Sequence, residues 1–121
     1  MTKEDKELLL KDLCARLPYG VVVKDRNGVH ALTSGNTEFT DLFNGKCNIA
    51  PYLFPLSSMT DEQKREYYEL IHELNVKAIE GEISNADCSI AEVDWLNKYH
   101  IDYRGLIEKG LANDATGLNI Y

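Results

Sequence analysis

The chain has 121 residues, of which 44% are hydrophobic and 27% charged, a composition typical of a small soluble domain. No stretch approaches the roughly 20 consecutive apolar residues of a membrane-spanning helix, so we expect no membrane insertion. The formal net charge of −7 lies entirely in residues 59–121, where thirteen acidic side chains outnumber six basic ones, and this acidity disfavours direct nucleic-acid binding.

The three cysteines, Cys14, Cys47 and Cys88, are far apart and odd in number. This pattern argues against a disulfide framework and is typical of a reducing cytoplasm, where we expect the protein to reside. The histidines are equally scattered, and the sequence contains no C-x-x-C or H-x-x-x-H spacing. We therefore predict neither a metal site nor a cofactor.

Residues 2–17 predict the first helix. Leucines recur there at helical spacing, Thr2 can serve as the N-cap, and Asp5 follows three residues later. Pro18 is expected to end the helix, because the residue before a proline is pushed out of the α region.

Two hairpins are predicted next. Residues 20–33 contain a β-branched run followed by the turn sequence Asp-Arg-Asn-Gly at 25–28, which is typical of a hairpin. A second hairpin is predicted over residues 37–49, with an Asn-Gly turn at 44–45.

Residues 51–59 contain two prolines among apolar side chains. Because Pro51 and Pro55 lack an N–H, we predict an extended crossing over the core and not a central strand. Tyr52, Phe54 and Leu56 alternate along this crossing, so one set of side chains would face solvent. They are the candidate partner surface, although burial of both sets is an equally good interpretation.

The second half of the chain predicts helices. Thr60 and Gln63 fit a capping box at the start of a helix over residues 60–80, and a loop is predicted over 82–88. This helix has the clearest start signal and apolar periodicity in the chain.

Two further helices and a tail are predicted after that loop. Ser89 is expected to cap a helix that extends to about residue 99. Asp102 is expected to cap a short helix over 102–109, and residues 112–121 are predicted to be a tail that is loose apart from its last apolar residues.

Trp95, His100, Asp102 and Arg104 belong to the densest group of polar and aromatic residues in the sequence. His100 near Asp102 and Arg104 fits an acid–base pair or an anion site. A corner between helices explains the same residues, because an aspartate at a helix start acts as a cap, and we favour that interpretation.

Three segments of the sequence carry a resemblance. They are Asp-Leu-Cys-Ala-Arg-Leu-Pro-Tyr-Gly at 12–20, Pro-Tyr-Leu-Phe-Pro-Leu-Ser-Ser-Met-Thr at 51–60 and Asp-Trp-Leu-Asn-Lys-Tyr-His-Ile-Asp-Tyr-Arg-Gly-Leu-Ile-Glu-Lys-Gly-Leu at 94–111. The chain resembles a family of small uncharacterised proteins of gut Bacteroidetes and their phages and mobile elements. The resemblance implies a short cytoplasmic protein and supplies no catalytic residue.

We therefore predict one α+β domain over residues 1–121, in which a small antiparallel sheet of about four strands, from residues 20–50, packs against three to four helices. Ser57 and Ser58 precede a helix, where hydroxyls usually satisfy orphan N–H groups, so no catalytic residue is assigned. The favoured function is that of a non-catalytic, protein-binding accessory protein of a phage or mobile element. The sequence does not identify the partner protein, and weak self-association is an alternative that it leaves open. The alternatives are a regulator of nucleic-acid transactions that mimics DNA or binds it weakly, and a small hydrolase or metal enzyme.

Overall fold

The computed structural model describes residues 2–25, 28–32 and 49–121, which form three α-helices, two short 3-10 turns and five strands. The helices are α1 (Lys3–Arg16), α2 (Asp61–Ile79) and α3 (Asn85–Lys98). The strands are β1 (Val22–Asp25), β2 (Gly28–Ala31), β3 (Ala50–Pro55), β4 (Ile101–Asp102) and β5 (Asn113–Asp114). This confirms the predicted α+β class.

Helix α1 forms as its sequence predicts. Thr2 Oγ1 accepts from Asp5 N–H, and the Asp5 carboxylate accepts from Thr2 N–H, so both hydrogen bonds of a capping box are present. Leu9 and Leu13, one helical turn apart, are fully buried and pack into the main core with residues of the sheet. Pro18 lies in the 3-10 turn Leu17–Tyr19 that ends the helix.

The sheet is mixed, with β3 at its centre. The predicted first hairpin is confirmed, because β1 and β2 pair antiparallel, although residues 26–27 of its turn lie outside the described residues. Strand β3 then pairs antiparallel with β1 and parallel with both β4 and β5. The expectation of a purely antiparallel sheet from residues 20–50 was therefore wrong, since β4 and β5 come from the second half of the chain.

The prediction that residues 51–59 form a crossing outside the sheet was wrong for Pro51–Pro55, which belong to β3. The positions of the two prolines explain how the strand tolerates them. Backbone N–H and C=O groups along a strand point alternately to its two edges. Phe54 N–H donates to the residue just before β4, whereas Leu53 C=O accepts from Ala115 N–H on the other edge. Pro51 and Pro55 share the edge of Leu53, so their missing N–H groups interrupt neither the β1 ladder nor the β4 ladder.

Tyr121 completes the junction between β1 and β3. The register pairs Val23 with Pro51, which makes Val22 and Tyr52 the next opposed residues. Val22 N–H donates to Tyr121 Oη over 2.8 Å, and that hydroxyl donates to Tyr52 C=O over 2.7 Å. The phenol thus replaces a direct hydrogen bond of the ladder, which agrees with the exception that the sequence indicated for the last apolar residues of the tail. The prediction of a loose tail was wrong at its start, because Asn113–Asp114 form β5 and Ala112 and Ala115 are buried.

Helices α2 and α3 form a pair beside the sheet. The predicted capping box of α2 is confirmed, because Thr60 and Gln63 exchange both bonds. Helix α3 begins five residues earlier than predicted, since its cap is Ser84, which accepts from Asp87 N–H, and not Ser89. Ser89 instead lies inside the helix, where its hydroxyl donates to a backbone carbonyl.

The predicted short helix over 102–109 does not form. Asp102 is the last residue of β4, and residues 106–110 make turns. Leu111 N–H still donates to Leu106 C=O over 2.9 Å, and both side chains are buried in the main core.

The predicted second hairpin over 37–49 lies outside the described residues, apart from the buried Ile49. In the part of the chain that the structure describes, we find no helix with the length and apolar content needed to traverse a bilayer.

Candidate functional site

A buried group of charges joins α1 to the segment after β4. Asp12 and Arg16, one turn apart on α1, are both fully buried, and Arg16 Nε donates to Asp12 Oδ2 over 2.8 Å. Arg104 Nε donates to the other carboxylate oxygen of Asp12 over 3.2 Å. One carboxylate therefore binds two guanidinium groups, so the group carries an excess of one positive charge.

The surrounding side chains satisfy most of the polar atoms of this charged group. Arg16 Nη2 donates to Ile101 C=O over 2.7 Å, which fixes α1 to β4. The Tyr103 ring lies 5.0 Å from Arg16 Cζ and 5.1 Å from Arg104 Cζ, distances at which cations attract an aromatic ring. Arg16 Nη1 is buried with no hydrogen-bond partner among the described residues. Burying a guanidinium nitrogen without a hydrogen-bond partner costs free energy, because the nitrogen loses its contact with water.

Asp102 shapes the loop that follows β4. Its carboxylate accepts from Leu106 N–H over 2.9 Å and from Ile107 N–H over 3.0 Å. These two bonds hold the loop in a turn and place the neighbouring Arg104 over Asp12. The capping role that the sequence predicted for Asp102 is thus carried out on a turn and not on a helix.

An open groove of about 530 Å³ lies beside this turn. Its wall on one side follows β3 and includes Leu56 and Ser57, and its wall on the other side follows β4 and includes Tyr103, Arg104 and Ile107. The groove therefore combines apolar side chains, an exposed hydroxyl and one guanidinium group.

The structure separates the predicted polar cluster into three places. Trp95 Nε1 donates to Glu66 Oε1 on α2, and Trp95 does not line the groove. His100 is buried and stacks on Tyr121, with ring centroids 3.7 Å apart. Only Asp102 and Arg104 lie together, so no His100–Asp102 acid–base pair forms.

His100 is neutral near pH 7. Burial, and then the charge of Arg16, lower its pKa from 6.5 to about 4. Its Nδ1 is buried and has no hydrogen-bond partner among the described residues.

The remaining chemical candidates are dispersed. Ser58 Oγ donates to Pro55 C=O over 2.7 Å, and Ser57 is exposed at the groove. Cys14 is exposed and Cys88 half-buried, both as free thiols, while Cys47 lies outside the described residues. Among residues 2–25, 28–32 and 49–121, no three His, Cys, Asp or Glu side chains are grouped to hold a metal ion.

The candidate partner surface on β3 is only partly accessible. Tyr52 is 9% exposed, Phe54 is half-buried, and Leu56 is 53% exposed. Tyr52 and Phe54 instead pack within the protein, where Phe54 contacts the Tyr121 ring at a centroid distance of 5.9 Å. Leu56 alone is available to a binding partner on this surface.

Helix α2 exposes apolar side chains that the sequence reading did not single out. Tyr68 is 67% exposed, Val76 38% and Ile79 86%, and their spacing places them on one face. We call these three residues the α2 stripe. A helical projection would have shown them, because they lie on a different face from Tyr67, Leu70 and Leu74, which are only half-exposed.

Comparison with known proteins gives no assignment. No family model matches the chain, and neither the curated proteins nor the solved structures contain a significant match to it.

Proposed function

We propose that this protein is non-catalytic and acts by binding another protein through the α2 stripe. The observation that carries the proposal is that α2, a helix of 19 residues, has no buried residue at all. A surface helix normally buries an apolar face. Here the side that packs against α3 is only half-buried, and the α2 stripe faces solvent.

The charges beside the α2 stripe indicate which charges we expect on the surface of the partner. Glu62, Glu69 and Glu73 recur at helical spacing along the flank of the stripe, and all three are exposed. Of these, Glu73 pairs with Lys77 over 3.1 Å, and no ion pair of Glu62 or Glu69 is found among the described residues. A partner with an apolar centre and a basic rim is complementary to this face.

A pair of matched variants tests the proposal. Tyr68→Ser with Ile79→Ser removes the two most exposed apolar side chains of α2, whereas Val29→Ser with Leu118→Ser removes exposed apolar side chains elsewhere. A partner captured from host lysate and then purified should bind the parent protein and the second variant, and its affinity for the first should fall at least tenfold. Equal binding by both variants would exclude the α2 stripe.

The dependence of the affinity on salt and on competing duplex DNA characterises the partner further. We expect the affinity to fall as salt rises, because a basic rim on the partner would meet the glutamates of α2. If duplex DNA displaces the protein from a nucleic-acid-binding partner, the acidic flank acts as a DNA mimic, which is the second candidate function. A partner indifferent to duplex DNA supports ordinary protein binding.

We also propose that the biological setting is a phage or mobile element. The resemblance of segments 12–20, 51–60 and 94–111 to small proteins of gut Bacteroidetes and their phages supports this setting. In that setting the partner would be a host protein, and the protein an accessory factor that modifies host function by contact alone.

A further inference from the structure

We propose that the groove beside β3 and β4 binds a small organic anion, a monocarboxylate with a short apolar chain, through the guanidinium group of Arg104. This site lies apart from the α2 stripe and goes beyond the protein-binding function. Its argument rests on the position of the groove, the way in which Arg104 is held and the nature of the walls.

The groove lies where parallel strands end. Strands β3 and β4 run parallel, with Phe54 opposite Ile101 and Pro55 opposite Asp102. The residues that line the groove are the last residue of each strand, Pro55 and Asp102, and residues that follow them in the chain. Ligands of sheets with parallel strands commonly bind at the carboxyl ends of the strands, because loops from neighbouring strands converge there.

Arg104 is held in advance of binding. Its Nε donates to Asp12, and Asp12 is in turn held by the fully buried Arg16. Neither terminal nitrogen of Arg104 forms a hydrogen bond within the part of the chain that the structure describes. A planar guanidinium with its terminal N–H groups unused matches the two oxygens of a carboxylate.

The charges near the groove disfavour a ligand with more than one negative charge. Arg104 is the cation of the lining, and the Asp102 carboxylate, which also lines the groove, accepts from the Leu106 and Ile107 N–H groups. Glu108 stands exposed at the rim. A polyphosphate would meet Glu108 and the net charge of −7, whereas a monoanion needs only the one free guanidinium.

The walls supply the rest of the recognition. Leu56, Pro55 and Ile107 offer apolar contact, and the exposed hydroxyl of Ser57 can donate to an anion. The volume of about 530 Å³ lies in the range of small-molecule sites. A short aliphatic chain attached to a carboxylate fits this combination.

The experiment is a titration of the ¹⁵N-labelled protein with butyrate, followed by ¹H–¹⁵N NMR. We expect saturable shifts of the Arg104 Nε–H signal and of the Ser57 and Gly105 amides. Butyramide, the neutral analogue, should produce no saturable shift. Inorganic phosphate should bind more weakly than butyrate.

The source of the carboxylate is identified by a second ligand, the dipeptide acetyl-Ala-Leu with a free carboxyl group. Tighter binding of the dipeptide supports the site as one for a peptide C-terminus, and tighter binding of butyrate supports it as one for a free acid.

Two variants and a control separate the site from folding. Arg104→Gln should weaken butyrate binding at least tenfold, and Lys109→Gln, which changes the net charge equally at an exposed lysine, should leave it unchanged. Because Arg104→Gln also removes a bond to Asp12, Ser57→Asp provides a second test at an exposed position. It should abolish binding by repulsion without altering thermal stability.

Three results would overturn the proposal. These are linear shifts without saturation in the parent protein, equal shifts with butyramide, or unchanged butyrate affinity in a folded Ser57→Asp protein.

Discussion

Asp12 does more for this structure than its place on an amphipathic helix indicates. It accepts from Arg16 and Arg104 and thereby joins residues 92 positions apart in the chain. The spacing of Asp12 and Arg16 is the i, i+4 spacing of a helical ion pair, which is the one signal in the sequence that could have found the group. Most such pairs are exposed and contribute little, so their spacing alone does not predict burial.

The pKa of His100 makes the stability depend on pH. The folded protein holds His100 neutral with a pKa of about 4, against 6.5 for an unperturbed histidine. Between these values the unfolded chain binds a proton that the folded one does not. The free energy of unfolding from this source is therefore fully present above pH 6.5 and is lost as the pH falls toward 4, by roughly 3 kcal/mol in all.

Urea unfolding between pH 4 and 7 measures this effect against His100→Asn. Asparagine tolerates the positive φ of 58° at this position but does not titrate. The carboxylates titrate in both proteins, so the difference between the two pH profiles isolates His100. Parallel profiles would contradict the burial of a neutral imidazole.

Strand β3 shows where a local rule misleads. Two prolines within six residues predict a segment outside a sheet, yet both stand at positions whose N–H groups would point away from β1 and β4. Two prolines four positions apart lie on the same edge of a strand, which is compatible with a central strand, but only the pairing of distant residues reveals which edge that is.

The hydroxyl of Tyr121 should contribute measurably to the β1–β3 junction. Burial raises its pKa to about 12, so it remains a hydrogen-bond donor across the ordinary pH range. Tyr121→Phe keeps the ring on His100 but leaves Val22 N–H and Tyr52 C=O without their partner. We expect a loss of about 1–3 kcal/mol in the free energy of unfolding.

Denaturant unfolding of Tyr121→Phe, with amide exchange at Val22, checks this expectation. Tyr68→Phe is the matched control, because Tyr68 is largely exposed and loses only a solvated hydroxyl. If the two variants unfold at the same urea concentration, the hydroxyl does not support the junction.

Local signals predicted the parts of the fold that local chemistry determines. The N-cap at Thr2, the capping box at Thr60 and the first hairpin were predicted, because each depends on residues a few positions apart. Strands β4 and β5 have two residues each and no periodicity, so only their pairing with β3 defines them. For the same reason Arg104 was noticed in the sequence, but its partner Asp12 was not.

The buried apolar residues fall into two clusters with different surroundings. One contains Leu9 and Leu13 of α1 with the sheet, and the other contains Trp95, Leu96 and Ile101 with half-buried residues of α2. Because α2 contributes no buried residue, it should open more easily than β3. This difference is compatible with a helix that gains part of its packing from a partner.

Hydrogen exchange measures the difference directly. We expect amides in the middle of α2 to exchange faster than those of β1 and β3, by a factor that reflects local opening. Thr60→Ala, which removes the capping box, should accelerate exchange in α2 by roughly fivefold, the factor that corresponds to about 1 kcal/mol, and leave the sheet unchanged. Uniform protection across α2 and β3 would show that the chain opens only as one unit.

The central position of β3 also determines how the chain must fold. Its partners lie at 22–25, 101–102 and 113–114, so most of its contacts join residues far apart in the sequence. Each of these pairings requires a long loop to close before any bond forms, and proteins dominated by such contacts fold slowly. Helices α1 and α2, with their local caps, can form early, whereas the sheet can be completed only after the last β-strand has been synthesised.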